Sequence, residues 1–102
     1  MTQDLRRSPR VLLDVDVEVA QGEATLVGRA HDISLGGMFV TCRTPAGFGA
    51  HVTLTFRLPG GDRELVIPGT VRWTRGDGMG VQFGTFGVRE TFAITEWVKK
   101  HG

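Results

Sequence analysis

Two groups of residues in this 102-residue chain have the types and the spacing to do chemistry. The first is the pair Arg6 and Arg10. Pro9 removes a backbone donor and pushes Ser8 toward extended geometry, so no helix is expected through this stretch. In an extended chain the two arginines stand up to ~13 Å apart, and each guanidinium can swing back toward the other. Two planar forks so placed can hold opposite sides of a small, dianionic, base-bearing ligand. Arginine matches phosphate oxygens and also the O6/N7 edge of guanine. Alone, a basic arm is more often a solvated tail. The second group is Asp32-x-Ser34-x-x-Gly37. Its plain reading is a turn whose Asp and Ser side chains bond to nearby amides. Its functional reading makes Asp32 the acceptor for paired N–H donors such as guanine N1–H and N2–H₂. Ser34 then adds a hydroxyl, and Gly37 lets backbone approach a planar base without a Cβ.

Other candidates fall away. His31, His51 and His101 are scattered, with no helical i, i+4 pairing and no acidic partner close in sequence. Cys42 is the only cysteine, which excludes an internal disulfide and a multi-cysteine zinc site, and its apolar strand reads as structural. No paired carboxylates occupy a glycine-rich loop. The run Gly78-Met79-Gly80-Val81-Gln82-Phe83-Gly84 is one residue too long for the dinucleotide fingerprint and enters a strand instead of opening a helix. Neither an enzyme nor a metal site nor a bound cofactor is expected.

The elements that must position these groups read as an all-β fold. Gly is 15 of 102 residues, about twice the usual ~7%, while the chain is 40% apolar, which suits tight turns around one small core. Leu13, Val15, Val17 and Val19 alternate with acids as a half-buried strand. Gln21-Gly22-Glu23 turns it into a second strand over residues 24–31, with Leu26, Gly28 and Ala30 on one face. Residues 32–37 interrupt, and a short strand resumes at Met38. Val52, Leu54, Phe56 and Leu58 form a fourth strand. Leu65, Ile67, Val71 and Trp73 form a fifth, with a bulge or bend expected at Pro68-Gly69. An Asp-Gly type turn at residues 75–78 leads to a sixth through Met79, Val81 and Phe83. Then the period changes: Ile94, Trp97, Val98 and His101 share one helical face, with a weak capping signal at Gly87 and Glu90. Six short strands and a terminal helix predict a small antiparallel barrel at residues 11–102, preceded by an arm at residues 1–10.

Charge is close to balanced, +1 overall, but uneven. Residues 1–10 hold three arginines against Asp4, so the arm is +2 and the remainder −1. No leader-like segment and no run of ~18–20 apolar residues is visible, so a cytoplasmic protein without membrane insertion is expected. The arm has only Met1 and Leu5 as apolar anchors and is expected to move freely.

Together, Arg-x-x-x-Arg just before a first strand and Asp-x-Ser-x-x-Gly about two strands later resemble the PilZ domain, the bacterial receptor module for cyclic di-GMP. The strand Gly69-Thr70-Val71-Arg72-Trp73, the 78–83 hairpin arm and the closing helix are similar to that family's later segments. The resemblance spans essentially the whole chain and implies a six-stranded β-barrel with a flanking helix. It implies that Arg6 and Arg10 clasp guanine and phosphates, and that Asp32, Ser34 and Gly37 take the other guanine edge. Gly36, Arg7 and Leu5 are lesser candidates. Leu5 stands where a stacking side chain in this family influences the holding of a second nucleotide, so one ligand per protomer is expected. The implied function is a signalling receptor, monomeric in the simplest case, that orders its arm on the ligand and acts on a protein effector.

Two other readings have distinct signatures. A PilZ-fold interaction module indifferent to nucleotide would show a buried Arg10–Asp32 ion pair in the free protein. A small β-barrel binding nucleic acid would stack bases on exposed aromatics. Phe39, Phe56, Trp73 and Phe83 are expected to fall mostly on inward faces, which argues against nucleic acid.

Overall fold

The computed structural model describes residues 9–61 and 63–102; Leu5, Arg6, Arg7 and the rest of residues 1–8 lie outside them, as does Asp62. Six strands, β1 (Val11–Gln21), β2 (Ala24–Ile33), β3 (Gly37–Thr41), β4 (His51–Phe56), β5 (Leu65–Arg75) and β6 (Gly78–Phe83), precede one helix, α1 (Val88–His101). The strands close into a barrel in the order β1-β2-β3-β6-β5-β4, and every neighbouring pair is antiparallel. The expected all-β barrel with a terminal helix is therefore the fold.

Alternation fixes which residues enter the barrel. Val17 and Val19 of β1, Met38 and Val40 of β3, Leu54 and Phe56 of β4, Ile67 and Val71 of β5, and Met79 and Val81 of β6 form the core. On β1 the intervening acids Asp14, Asp16 and Glu18 face outward. The helix contributes Ile94 and Val98 to the same core, with Ala93 and Trp97 packed against it. It lies against β1 and β5. Its last turn carries Lys99, Lys100 and His101, where a helix dipole favours cations.

The finer expectations need correction. Gly87 is the N-cap, yet no side chain caps the helix, and Glu90 closes no capping box; instead the Thr91 hydroxyl donates to the Gly87 carbonyl at 2.9 Å. The β5–β6 hairpin turns on Gly76-Asp77, with Gly78 already in the strand. Only Gly76 has positive φ, at 59°, so the turn follows the glycine-first pattern instead of the Asp-Gly one. β2 runs two residues further than expected, through Asp32 and Ile33, and Leu26 is partly exposed because only Gly28 and Ala30 of its row reach the core.

The largest departure lies in three breaks of step, one of them in β1, where Leu12 pairs with Asp32 but Val15 already pairs with Ala30. β5 pairs with β4 in unbroken register through Pro68 and Gly69, so no bulge sits there. The bulge is at Arg72: Val71 pairs with Val81, but Trp73 already pairs with Gly80. A matching break occurs at His31, where Ala30 pairs with Val40 and Asp32 with Phe39. One extra residue reverses the alternation of everything beyond it. Val71 thus points into the barrel while Trp73 points out, and Ala30 and Ile33 both point in while Asp32 faces the surface. Trp73 is consequently not an inward residue, and neither is Phe39, which alternation along β3 turns outward. Trp73 is 45% exposed, and Phe39 sits between the buried Met38 and Val40 on the opposite face.

Candidate functional site

The break at His31 creates the site's acidic member. Asp32 Oδ1 accepts from the Phe39 backbone N–H at 3.1 Å and from Arg10 Nη2 at 3.0 Å. Arg10 reaches it from the residue just before β1, because Leu12 of β1 pairs opposite Asp32. The side chains of the pair are 50% and 28% exposed, so this is not a buried ion pair. A half-solvated pair contributes ~0–1 kcal/mol, and Arg10 can therefore change partners cheaply. Only one oxygen of Asp32 is engaged in these contacts.

Ser34 and the glycines shape the turn that follows. Ser34 is almost fully buried, and its hydroxyl accepts from the Gly36 N–H at 3.1 Å. The Ser34 N–H donates to the Gly37 carbonyl at 2.9 Å, and the Gly36 carbonyl accepts from the Phe83 N–H at 2.9 Å. This is the side-chain-stabilised turn of the plain reading, tied down to β6. Gly37 has no room for a Cβ, which would run into the Val81 carbonyl oxygen. Glycine here lets β3 approach β6, a packing reason that the sequence reading did not contain.

Arg10, Gly36 and Gly37 share a shallow cavity of about 160 Å³ with Arg72, Trp73, Gly80, Val81 and Gln82. Ligand pockets that enclose their occupants measure ~300–1,000 Å³, so this surface can only seat a ligand lying across it. Of the sequence candidates, Arg10, Asp32, Ser34, Gly36 and Gly37 converge; Arg6, Arg7 and Leu5 lie outside the described residues. Arg72 and Trp73 were not anticipated. Their signal was hidden by the bulge, which alternation alone does not reveal.

Trp73 belongs to an aromatic row. Its ring lies nearly parallel to Phe39, at 16° with centroids 5.3 Å apart, and Phe39 meets His31 at 5.7 Å. Gly78 and Gly80 of β6 make room for it: a Cβ on Gly80 would strike the Trp73 indole, and one on Gly78 would stand 2.6 Å from the Phe39 ring. His31 Nε2 lies 2.8 Å from the Thr41 hydroxyl.

Neighbouring charge is arranged differently. Arg29 bonds Asp14 at 2.6 Å and Asp16 at 2.7 Å across β1 and β2. The hydrogen bond from Arg29, with its charge, holds the Asp14 carboxyl below the ordinary carboxylate range. Burial pushes the Cys42 thiol up, which suits an inert core residue. A larger cavity of about 500 Å³ opens between α1 and the segment after β4, lined by Leu58, Gly60, Trp97 and His101. Among the described residues, no group of three or more His, Cys, Asp or Glu side chains could hold a metal, and no helix is long and apolar enough to cross a membrane.

Comparison with known proteins agrees with this fold. The family model described as PilZ domain matches residues 4–96. No curated protein matches the chain. Among solved structures, the PilZ domain of CeSA from a cellulose-synthesizing bacterium superposes with a TM-score of 0.71 at 22% identity, covering 91% of this chain and 97% of that one. The PilZ domain of YcgR from Escherichia coli, solved with c-di-GMP, gives 0.74 at 16% identity, covering 96% of this chain and 92% of that one. The Bacillus subtilis inhibitor of motility, MotI/DgrA, gives 0.79 at 19% identity; it covers 98% of this chain, which spans only 51% of that protein.

Proposed function

The chain belongs to the PilZ domain family, and on that premise we propose that it is a cyclic di-GMP receptor that signals to a protein partner. The supporting observation is the convergence of Arg10 and Asp32, 22 positions apart, beside the turn at Gly36 and Gly37. A member of the same fold, the YcgR domain, is solved with this ligand.

In this mechanism Arg10 leaves Asp32 for a phosphate or a guanine acceptor edge. The freed carboxylate accepts the paired N–H donors of a guanine. Ser34 acts by holding the turn, and Gly36 and Gly37 present backbone to the base. Arg6, on the arm of residues 1–10, supplies the second guanidinium, and Arg7 raises the local positive potential. Binding draws that arm onto the barrel and so presents a new surface to the effector. One ligand per protomer is expected.

Calorimetric titration with cyclic di-GMP tests this, with GTP and the Arg6→Ala/Arg10→Ala double variant as controls. Saturable 1:1 binding, lost in the double variant and absent for GTP, is the expected result. Arg10→Ala alone weakens binding by about 2–5 kcal/mol, the range for truncating a charged group in a hydrogen-bonded site. Added salt weakens binding as well, because the contacts are partly ionic. A wild type silent in both calorimetry and NMR shift titration overturns the proposal and favours a nucleotide-independent interaction module.

A further inference from the structure

We propose that the groove between α1 and the segment joining β4 to β5 is the docking surface for the protein partner, and that it takes an acidic amphipathic helix. This deepens the partner half of the proposed function and rests on the chain having such a partner. It does not depend on cyclic di-GMP.

The groove is built from two adjoining cavities, of about 500 and 330 Å³, that share Leu58, Gly61 and Ala93 in their walls. Neither shares a residue with the shallow cavity at Arg10 and Gly37. Along α1 the lining residues are Arg89, Phe92, Ala93, Glu96, Trp97 and Lys100, a spacing of three and four that keeps one side of the helix on the groove throughout. From Arg89 to His101 that side extends roughly 18 Å, at ~1.5 Å per residue. Ile94 and Val98 are the buried residues that hold α1 to the barrel. Phe92, by contrast, is 65% exposed, and Val88, one turn earlier, is 87% exposed. Exposed apolar side chains at the lip of an apolar cavity mark a contact surface.

Shape and charge select the occupant. The walls are mostly helix and turn, the turn closed by the Gly61 N–H donating to the Leu58 carbonyl at 2.8 Å, so side chains must do the recognising. Helices that dock in grooves present apolar anchors at i, i+3, i+4 and i+7, which suits two cavities in line along α1. Among the described residues the rim carries Arg63 and Arg89 at one end and Lys100 at the other, against Glu96 alone. Glu96 itself lies 3.8 Å from Lys99. A positive rim around an apolar floor attracts an acidic face. The same sign repels the chain's own arm, with three arginines against Asp4, and a second copy of the groove. An anionic lipid surface has the right charge but no ridge to fill two cavities. The groove also ends beside the base of the arm: a Cβ on Gly102, just past His101, would stand 3.5 Å from Val11 Cγ1. A partner seated there meets the point at which the arm joins the barrel.

The probe is a synthetic peptide of about 18 residues, long enough to hold a helix, with leucines at the anchor spacing and glutamates around them. A control peptide carries lysines for glutamates. Nitrogen-15 NMR of the full chain follows its two indole N–H signals, assigned with Trp73→Phe. The glutamate peptide shifts the signal of Trp97, which lines the groove, saturably and leaves that of Trp73 in place; the lysine peptide shifts neither. Phe92→Ala, with unchanged far-ultraviolet circular dichroism, binds roughly tenfold more weakly, the equivalent of ~1.4 kcal/mol for an interface anchor. The Arg63→Glu/Arg89→Glu variant, folded by the same criterion, loses the preference for glutamate over lysine. An unmoved Trp97 signal at millimolar glutamate peptide, or equal binding of the two peptides, overturns the proposal. Phosphatidylglycerol vesicles that bind through Phe92 where the peptide does not also overturn it, and assign the surface to a membrane. A Phe92-dependent dimer in sedimentation, without peptide binding, overturns it in favour of a second copy. A chain that binds the peptide but not cyclic di-GMP keeps the docking surface and loses the nucleotide reading; the reverse result keeps the receptor and loses the groove.

Discussion

Single residues here carry more than one duty. Asp32 anchors the Phe39 amide and pairs with Arg10 through the same oxygen, so removing it loosens the start of β3 as well as freeing the arginine. Arg29 is the simpler case, a guanidinium shared by two exposed aspartates. Its effect on Asp14 has a definite sign. The folded carboxyl titrates below its ordinary value of 3.8, so the pair's stabilisation is present above that value and disappears as pH falls through the lowered folded pKa. Melting temperatures of the wild type and Arg29→Ala should therefore differ by a constant, small amount from pH 5 to 8. They should begin to converge as pH falls below about 4; a gap that does not narrow toward pH 2 would mean that packing of the arginine stem, not its charge, is what matters.

At the scale of elements, the breaks of step do the positioning. Much of the barrel was legible because its signals are local. Val17 and Val19, Leu54 and Phe56, or Met79 and Val81 announce their faces through period two, and the turns carry glycine. The bulges at His31 and Arg72 were not legible, because a bulge is a relation between a strand and its neighbours and leaves no compulsory residue type. Pro68-Gly69 looked like one, yet Gly69 is explained by crowding: a Cβ there would stand 3.0 Å from the Gln82 carbonyl oxygen. The motif residues Arg10, Asp32, Ser34 and Gly37 were found in the sequence. Trp73 was assigned to the core because strict alternation from Ile67 through Val71 demands it. Gly80→Ala tests the arrangement at this scale. The added methyl collides with the indole, so Trp73 should swing off Phe39, its emission should shift to the red, and stability should fall by about 1–3 kcal/mol. Unchanged emission and stability would show that the indole has room to spare.

For the molecule as a whole, a core drawn from all six strands and one helix makes the fold depend on few large side chains. Leu54, completely buried, should cost about 2–5 kcal/mol on truncation to alanine, measured by urea unfolding. Small domains have only about 5–15 kcal/mol of net stability, so that one change removes a large share of it. A loss well under 1 kcal/mol would indicate that the barrel collapses around the gap. The site, by contrast, hangs on the outside of this core and on the residue before β1, so binding variants such as Arg10→Ala should leave unfolding nearly unchanged. The closed order of strands also limits how a partner can attach. Among the described residues each strand is paired on both sides over part of its length, so the border of amides and carbonyls left for strand addition is confined to overhangs such as Ala24–Val27 of β2, which pair with β1 alone. Away from those overhangs recognition is read from side chains on the outer surface, where substitutions can retune the choice of partner while the hydrogen-bonded ring beneath stays as it is.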